Sequence, residues 1–450
     1  MSSVLVACIV VLSLLATVLT PYAALLAYEW TSYLPPNTVS FGPFAQAQFP
    51  RITALAAMLA FVFLQRDKFS KIGPGLFLIG AYGVWITITS NFFAVAGPSL
   101  VMWKYNIAIK TVVMAGVLYL MTDSRARLEA FLSIYVLAIS YWIVMGAVKT
   151  LLTGGGYGLV SSGGDYLFAD GSTLSVGAIM AGIVIAWVGK HSVLAPFYND
   201  RIYRTAALIF IGICAVLVIG TQARTGLIAG VAAYGYYVLK SRHRVPAVIV
   251  AAIAGAAIFT FAPPDWLERM SSITASGDAR DQSAAGRFQA WGWAWEYAKN
   301  HPFTGGGFRV FYALNIVELE NGKTRIIDSH SYFFEILAEQ GFTGLFIFLS
   351  LAGVSWFGLL RLERQLRDDD DYVWAKDLAR TMQYALVALL TGGLFIGIGH
   401  FALTWDFLAI AAALPRIIAL ERERAGHAPL SAKAPAKRLP RRLSPSAAPV

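Results

Sequence analysis

The run Asp328-Ser329-His330-Ser331-Tyr332 closes the longest polar stretch of the chain and opens an apolar one. Imidazole ordinarily titrates near neutral pH, which suits a general base. A titratable group kept at the edge of an apolar span is costly, so His330 is the first functional candidate. Arg224 sits in Thr221-Gln222-Ala223-Arg224-Thr225-Gly226, between two apolar runs with almost no loop between them. Its planar guanidinium is suited to holding phosphate oxygens, and the alternative is an arginine snorkelling from a span end. Arg287, in Gly286-Arg287-Phe288-Gln289-Ala290-Trp291, opens a predicted helix. A cation there opposes the helix dipole, so an anionic ligand would give it a reason to be present. The alternative is a solvated arginine beside Asp278 and Asp281.

Several weaker candidates share the same region. Arg280 and Arg309 lie in the loop with Arg287, and His301-Pro302-Phe303-Thr304-Gly305-Gly306-Gly307 makes a tight turn. Gly305 and Gly306 would let backbone approach a ligand closely, or would simply redirect the chain. Lys104 and Lys149 fall in the outer halves of spans, where they would add positive potential to a cavity or snorkel. His400 and Asp406 flank a turn on the same side. His301 and His330 lack the spacing of a metal site, so no metal or other cofactor is expected. The run Asp368 to Asp371 reads as a solvated face on the opposite side.

The elements that must position these residues are membrane spans. The 450 residues are 57% hydrophobic and 14% charged, with mean hydropathy +0.60, whereas a soluble domain carries about 25% charged residues. Apolar runs fall at about 3–26, 50–65, 73–91, 99–121, 127–151, 172–189, 204–221, 223–239, 245–262, 332–360, 381–399 and 402–420. They predict an all-α polytopic membrane protein of about twelve spans, the first of which Pro21 would split. The first run has no basic leader or cleavage signal and reads as a retained span. Lys and Arg cluster in alternate short loops, while 31–49, 92–98 and 153–171 have none. This pattern puts both termini in the cytoplasm and assigns the net charge of +10 to membrane orientation rather than nucleic acid.

On that topology residues 263–331 form one large extracytoplasmic loop with short helices of its own. A helix over Ala285 to Asn300 is expected along the membrane surface, with Trp291, Trp293 and Trp295 at the interface. The glycine-rich loop 153–171 should be mobile, and a basic tail over 421–450 should be disordered. Cys8 and Cys214 fall in spans, which argues against a disulfide framework. The chain divides into an N-terminal membrane region over 1–200, a core over 201–420 and the tail.

The turn Thr221 to Gly226, the Gly286-Arg287 helix with its His301-Pro302 glycine turn, and His330 followed by Glu339-Gln340-Gly341 recur in this order in one family. The chain resembles the O-antigen ligase and polymerase (Wzy-like) superfamily of envelope glycan enzymes over about residues 1–420. Pro21 to Trp30 and Ser32-Tyr33-Leu34-Pro35-Pro36 are most similar to O-glycosylation ligases associated with exosortase and exopolysaccharide loci. No single motif is specific; their order and membrane side together are. The superfamily usually has Ser before the arginine and often Asn after the histidine, where this chain has Ala223 and Ser331.

The resemblance implies a GT-C-like glycosyltransferase in the bacterial inner membrane, with its active site facing the periplasm. The donor would be a glycan on undecaprenyl diphosphate, and the acceptor a hydroxyl of a glycan, lipid or protein. It implies inverting, metal-independent transfer with His330 as base, and Arg224 and Arg287 on the diphosphate. Arg309, Lys104, Lys149, His301, Gly305 and Gly306 would help bind substrate. A Wzy-type polymerase would use the same chemistry on another acceptor. A transporter or flippase for a lipid-linked glycan belongs to a different class, but the candidates sit at one face rather than at the midplane, and no repeat is visible. A scaffold for an export complex would not need the three residues.

Overall fold

The computed structural model describes residues 3–39, 48–65, 69, 72–156, 168, 170–194, 200–261, 282–318, 324–397, 399–427 and 429–430. The expected mobile stretch of loop 153–171 and most of the expected tail lie outside them. Apart from one short hairpin the described chain is helical. Its helices are α1 (Ser3–Ala16), α2 (Tyr22–Tyr33), α3 (Pro36–Val39), α4 (Phe49–Leu59), α5 (Pro74–Phe92), α6 (Pro98–Met121), α7 (Arg125–Thr153) and α8 (Gly171–His191). There follow α9 (Asp200–Gly220), α10 (Arg224–Lys240), α11 (Arg244–Phe261), α12 (Gln282–Asn300) and α13 (Val310–Leu314). The antiparallel strands β1 (Ile316–Glu318) and β2 (Thr324–Ile326) then lead into α14 (Tyr332–Gln365), α15 (Val373–Gly393) and α16 (Ala402–Arg424).

Among the described residues seven helices are long and apolar enough to cross a membrane: α5, α6, α7, α8, α9, α14 and α16. Phe49–Leu64 and Arg244–Ile253 are shorter apolar pieces. This is an all-α polytopic membrane architecture, and among the described residues several of the expected apolar runs make shorter or divided helices. The first apolar run is divided at Pro21 into α1 and α2. The run 223–239 makes a helix of only 17 residues. The run 381–399 belongs to a helix that starts at Val373, carries Lys376, Asp377 and Arg380, and stops at Gly393. Hydropathy reads apolarity alone, and an interior helix can end wherever neighbouring helices enclose it.

α16 is the central post, with 83% of its apolar stretch buried. It packs on α14, α6 and α5, while α8 packs on α9 and α15, and α10 on α15. Trp405 and Tyr82, with ring centroids 4.6 Å apart, and Tyr135 against Phe407 at 4.9 Å fill the centre. One end of the bundle is a belt of charge pairs. Arg125 donates from its backbone N–H to Glu421 at 2.8 Å and from its guanidinium to the His191 carbonyl at 2.6 Å. Arg422 pairs with Asp369, Lys190 with Asp377, and Lys240 and Arg380 with Glu363. Asp369 is thus partly engaged rather than simply solvated. α10 and α14 both run towards this belt, so their first residues, Arg224 and Tyr332, stand at the opposite end.

α14 is not continuous, although an unbroken span was expected over 332–360. Gly341 has φ 68° and ψ −174°, which divides the helix into Tyr332–Gln340 and a longer second half. A break frees backbone groups that must find partners inside an apolar bundle. The glycine turn supplies them. The amides of Gly306 and Gly307 donate to the carbonyls of Ala338 and Glu339, each at 2.9 Å, and the Phe342 amide donates to the Pro302 carbonyl at 2.8 Å. The Trp85 indole donates to the Gln340 carbonyl at 3.0 Å. The contact leaves no room for side chains: a Cβ on Gly341 would lie 2.3 Å from the Phe303 carbonyl, and one on Gly305 2.5 Å from that of Ala338.

Gly341→Ala should therefore cost at least roughly 1–3 kcal/mol, from its positive φ alone, seen as a lower thermal midpoint in detergent. Gly353→Ala, on the same helix but with nothing within 4 Å of its Cβ, should leave the midpoint unchanged or slightly higher. Equal behaviour of the two variants would contradict a sterically closed break.

Candidate active site

His330 is exposed, yet its backbone is tightly held. Its φ is 43°, a left-handed conformation uncommon outside glycine and one that clusters at functional sites. Both neighbours are buried and bonded. The Ser329 amide donates to Asp328 Oδ1 at 2.7 Å, and its hydroxyl donates to the Ser331 carbonyl at 3.1 Å. The Ser331 hydroxyl donates to the Gly393 carbonyl at 3.4 Å, and the Tyr332 amide to the Ile396 carbonyl at 3.0 Å. The serine flanks thus strap the segment to the end of α15 and leave the imidazole facing outward.

α12 is clamped to the same segment. The Trp291 indole donates to the Ser329 carbonyl at 2.8 Å and stacks on Phe334 at 5.0 Å. Arg287 lies four residues earlier, one turn along the same face, so α12 brings the half-buried Arg287 towards the His330 segment. The expected surface helix exists, but its tryptophans do not all face outward. Trp291 packs inward, Trp293 stacks on Tyr297 at 5.1 Å and meets Phe311, and Trp295 is exposed. Trp293 is spent on the small apolar cluster that joins α12, α13 and α14, and Trp291 stacks on Phe334 at its border.

Arg224 is the first residue of α10, after a tight turn in which Gln222 has φ 49°. The Gly156 amide donates to the Gly220 carbonyl at 2.8 Å, so the turn abuts the end of α7. Gly226 closes on Ser175 of α8. Val176 of α8 abuts Gly392, and Gly393 carries Tyr332 and Ser331. An unbroken series of close contacts thus leads from the Arg224 turn to the His330 strap at one end of the bundle.

The remaining candidates part company. The Arg309 guanidinium lies over Trp103 at 4.5 Å and Tyr312 at 4.4 Å, on a backbone with φ 66°. Its amide donates to Glu339 Oε1 at 2.8 Å. Lys104 does not offer free positive potential: its ammonium is buried against Glu335 and against Glu339 at 2.7 and 2.8 Å. Lys149 is exposed on α7. His301 stacks on Tyr297 at 4.4 Å, and Gly305 and Gly306 close on α14 rather than on a ligand space. His400 and Asp406 serve separate clusters. Asp406 accepts from Tyr33 at 2.7 Å, whereas His400 Nε2 lies 3.3 Å from the Tyr82 hydroxyl. Burial, reinforced by Lys104 and Arg309, holds the His400 imidazole well below its ordinary titration range.

Glu335 was not singled out in the sequence, and Glu339 entered only within the motif that carries the resemblance. Their spacing of four was the available signal, because it puts two carboxylates on one face of an apolar helix, where a counter-ion is required. With His400 they bring one ligand atom each within 4.8 Å, the one such group among the described residues. The Lys104 ammonium already lies against both carboxylates, so the chain supplies its own cation there. Removing one partner of a buried ion cluster typically costs roughly 3–5 kcal/mol, and Lys104→Met should lower the denaturation midpoint accordingly. The combined Lys104→Met, Glu335→Gln, Glu339→Gln variant should recover much of that loss. An additive loss would rule out a shared ionic interaction.

Residues 206–349 match the family model described as O-antigen ligase, and residues 1–193 match a family of unknown function, DUF5935. No curated protein matches the chain. The O-antigen ligase match covers Arg224, Arg287, the glycine turn, His330 and the broken half of α14. Through residues 206–349 this chain is similar to the O-antigen ligase/Wzy-like superfamily.

Proposed function

We propose that this protein is a ligase that moves a glycan from an undecaprenyl-diphosphate carrier to an acceptor hydroxyl on the periplasmic side of the bacterial inner membrane. The observation that carries the proposal is His330, an outward-facing imidazole in left-handed backbone between two buried, fully strapped serines. Rigid backbone beneath a mobile proton acceptor is what a positioned base requires. The belt of basic loops at the far end supports the orientation, since Lys and Arg favour the cytoplasmic side.

In the proposed reaction the acceptor oxygen attacks the anomeric carbon from the face opposite the diphosphate. His330 takes the hydroxyl proton as the new carbon–oxygen bond forms. The bond from the anomeric carbon to the phosphate oxygen breaks, and undecaprenyl diphosphate leaves with the electron pair, so the anomeric configuration inverts. Arg224, at the first turn of α10, and Arg287, on the face of α12 that carries Trp291, would neutralise the charge that grows on the leaving group. Arg309 would bind the donor from the side of α6.

His330→Ala should lower transfer by about 10²–10⁴-fold at normal membrane abundance. Lipid-linked glycan should then build up in the outer leaflet while the finished product disappears. Build-up in the inner leaflet would point to transport, and product formed at the normal rate would remove His330 from the mechanism. Arg224→Lys and Arg287→Lys keep the charge but lose the planar fork, and should each reduce transfer by a smaller factor.

A further inference from the structure

Glu29 and Asp406 are buried carboxyls that the proposed reaction does not use. Glu29 stands on α2, and Tyr33, four residues on, shares its face. Both reach Asp406, which lies one turn into α16. Glu29 is 0% and Asp406 1% exposed, so no bulk water solvates either. The surroundings are largely aromatic. Tyr33 meets Tyr135 of α7 edge-on at 5.1 Å, and Tyr135 meets Phe407, the neighbour of Asp406, at 4.9 Å.

Donors are shared unequally between the two carboxyls. Asp406 Oδ2 accepts from the Tyr33 hydroxyl at 2.7 Å. Both oxygens of Glu29 are buried with no amide, hydroxyl or ring donor on them. What lies within hydrogen-bonding reach of Glu29 is the Asp406 carboxyl. Two ionised carboxylates are both acceptors, so they bond to each other only through a proton that one of them carries. Among the described residues no lysine, arginine or histidine is paired with either group. The other titratable groups facing the pair are the tyrosines Tyr28 and Tyr33 of α2 and Tyr135 of α7. α4 presents Thr53, already hydrogen-bonded to Thr31. Two adjacent buried charges with no counter-ion would be far costlier than one charge shared by the pair.

We propose that Glu29 and Asp406 form a binding site for a single proton, carried by Glu29 and donated to Asp406, with the Tyr33 hydroxyl holding the charge that remains. A hydrogen bond from a carboxylic acid to a carboxylate is charge-assisted and strong, so this proton ties α2 to α16. A hard cation fits less well. Tyr33 spends its hydrogen on Asp406, and the aromatic surroundings offer few of the oxygen ligands such an ion takes. The native pair then keeps a proton that an unfolded carboxyl releases above about pH 4.3. Above that pH stability falls as pH rises, until the native pair gives up its proton too. The site stands apart from the ligase reading and does not depend on it.

The test is infrared spectroscopy of the full chain in nanodiscs at about pH 7. The unaltered protein should show a carboxylic-acid carbonyl band that Glu29→Gln lacks. Glu29→Gln keeps an N–H donor towards Asp406 and should fold as the unaltered chain does. Glu29→Leu, which removes the carboxyl and asks for no partner, is the second variant and should lose the same band. If neither substitution removes an acid band, the assignment is overturned. A band present in choline chloride and abolished by equal sodium chloride would also overturn it, in favour of a cation site. In detergent, the thermal midpoint of the unaltered protein should fall more steeply with pH than that of Glu29→Gln. The difference should amount to one proton, about tenfold per pH unit in the folding equilibrium. Parallel profiles would sink the proposal.

Discussion

The break in α14 is the constraint from which the geometry of the site follows. An apolar bundle does not tolerate unsatisfied carbonyls, so interrupting a helix at Gly341 obliges another segment to bring donors to that depth. Gly306 and Gly307 answer with their amides, and Trp85 with its indole. That one solution fixes several positions at once. It draws the end of α12 down onto α14, it turns the chain into Arg309, and it ties both to α5. The half-helix Tyr332–Gln340 is held at its start by the serine strap around His330 and at its end by the glycine turn. His330, Arg309 and the helix break therefore belong to one unit.

The buried charges make the same unit electrostatically coherent. Lys104 reaches Glu335 and Glu339 from α6, and Glu339 also holds the Arg309 amide. A carboxylate pair inside a span is tolerable only with a counter-ion in contact. The spacing of α6 from α14 is thereby set by an ionic contact as well as by packing. Tyr82, His400 and Phe308 surround this cluster, with Phe308 edge-on to the His400 ring at 4.8 Å. Other buried polar groups lie apart from it, among them Glu29, Glu129 and Arg416.

The sequence made the broad architecture legible because apolar runs, Pro21 and the alternation of basic loops report directly on membrane solvation. His330, Arg224 and Arg287 stood out in the sequence because a titratable or charged group at a span edge is costly to keep. What stayed hidden depends on partners distant in the chain. Nothing around residue 341 signals a break, since glycine is common in membrane helices; its meaning emerges only when Pro302 and Phe303 are seen against it. Lys104 looked like a free cation because its partners lie 231 and 235 residues away. Trp291 and Trp293 read as interface anchors until their packing on Phe334 and Tyr297 was visible. Gly305 and Gly306 read as a ligand approach or a redirecting turn until the backbone of α14 was seen against them.

The long separation between Lys104 and its carboxylates has a consequence for biogenesis. α6 is synthesised and delivered to the bilayer more than two hundred residues before Glu335 exists. A lysine costs about 2.5–3.5 kcal/mol at the centre of an inserting helix, and less towards an end where it can snorkel. The ammonium must therefore wait in a strained or hydrated arrangement until α14 arrives. The charge on α6 is then neutralised from within the chain only once α14 is in place. A nascent chain stalled before Tyr332 would display that charge unpaired, a mark by which membrane quality control could tell an unfinished chain from a complete one.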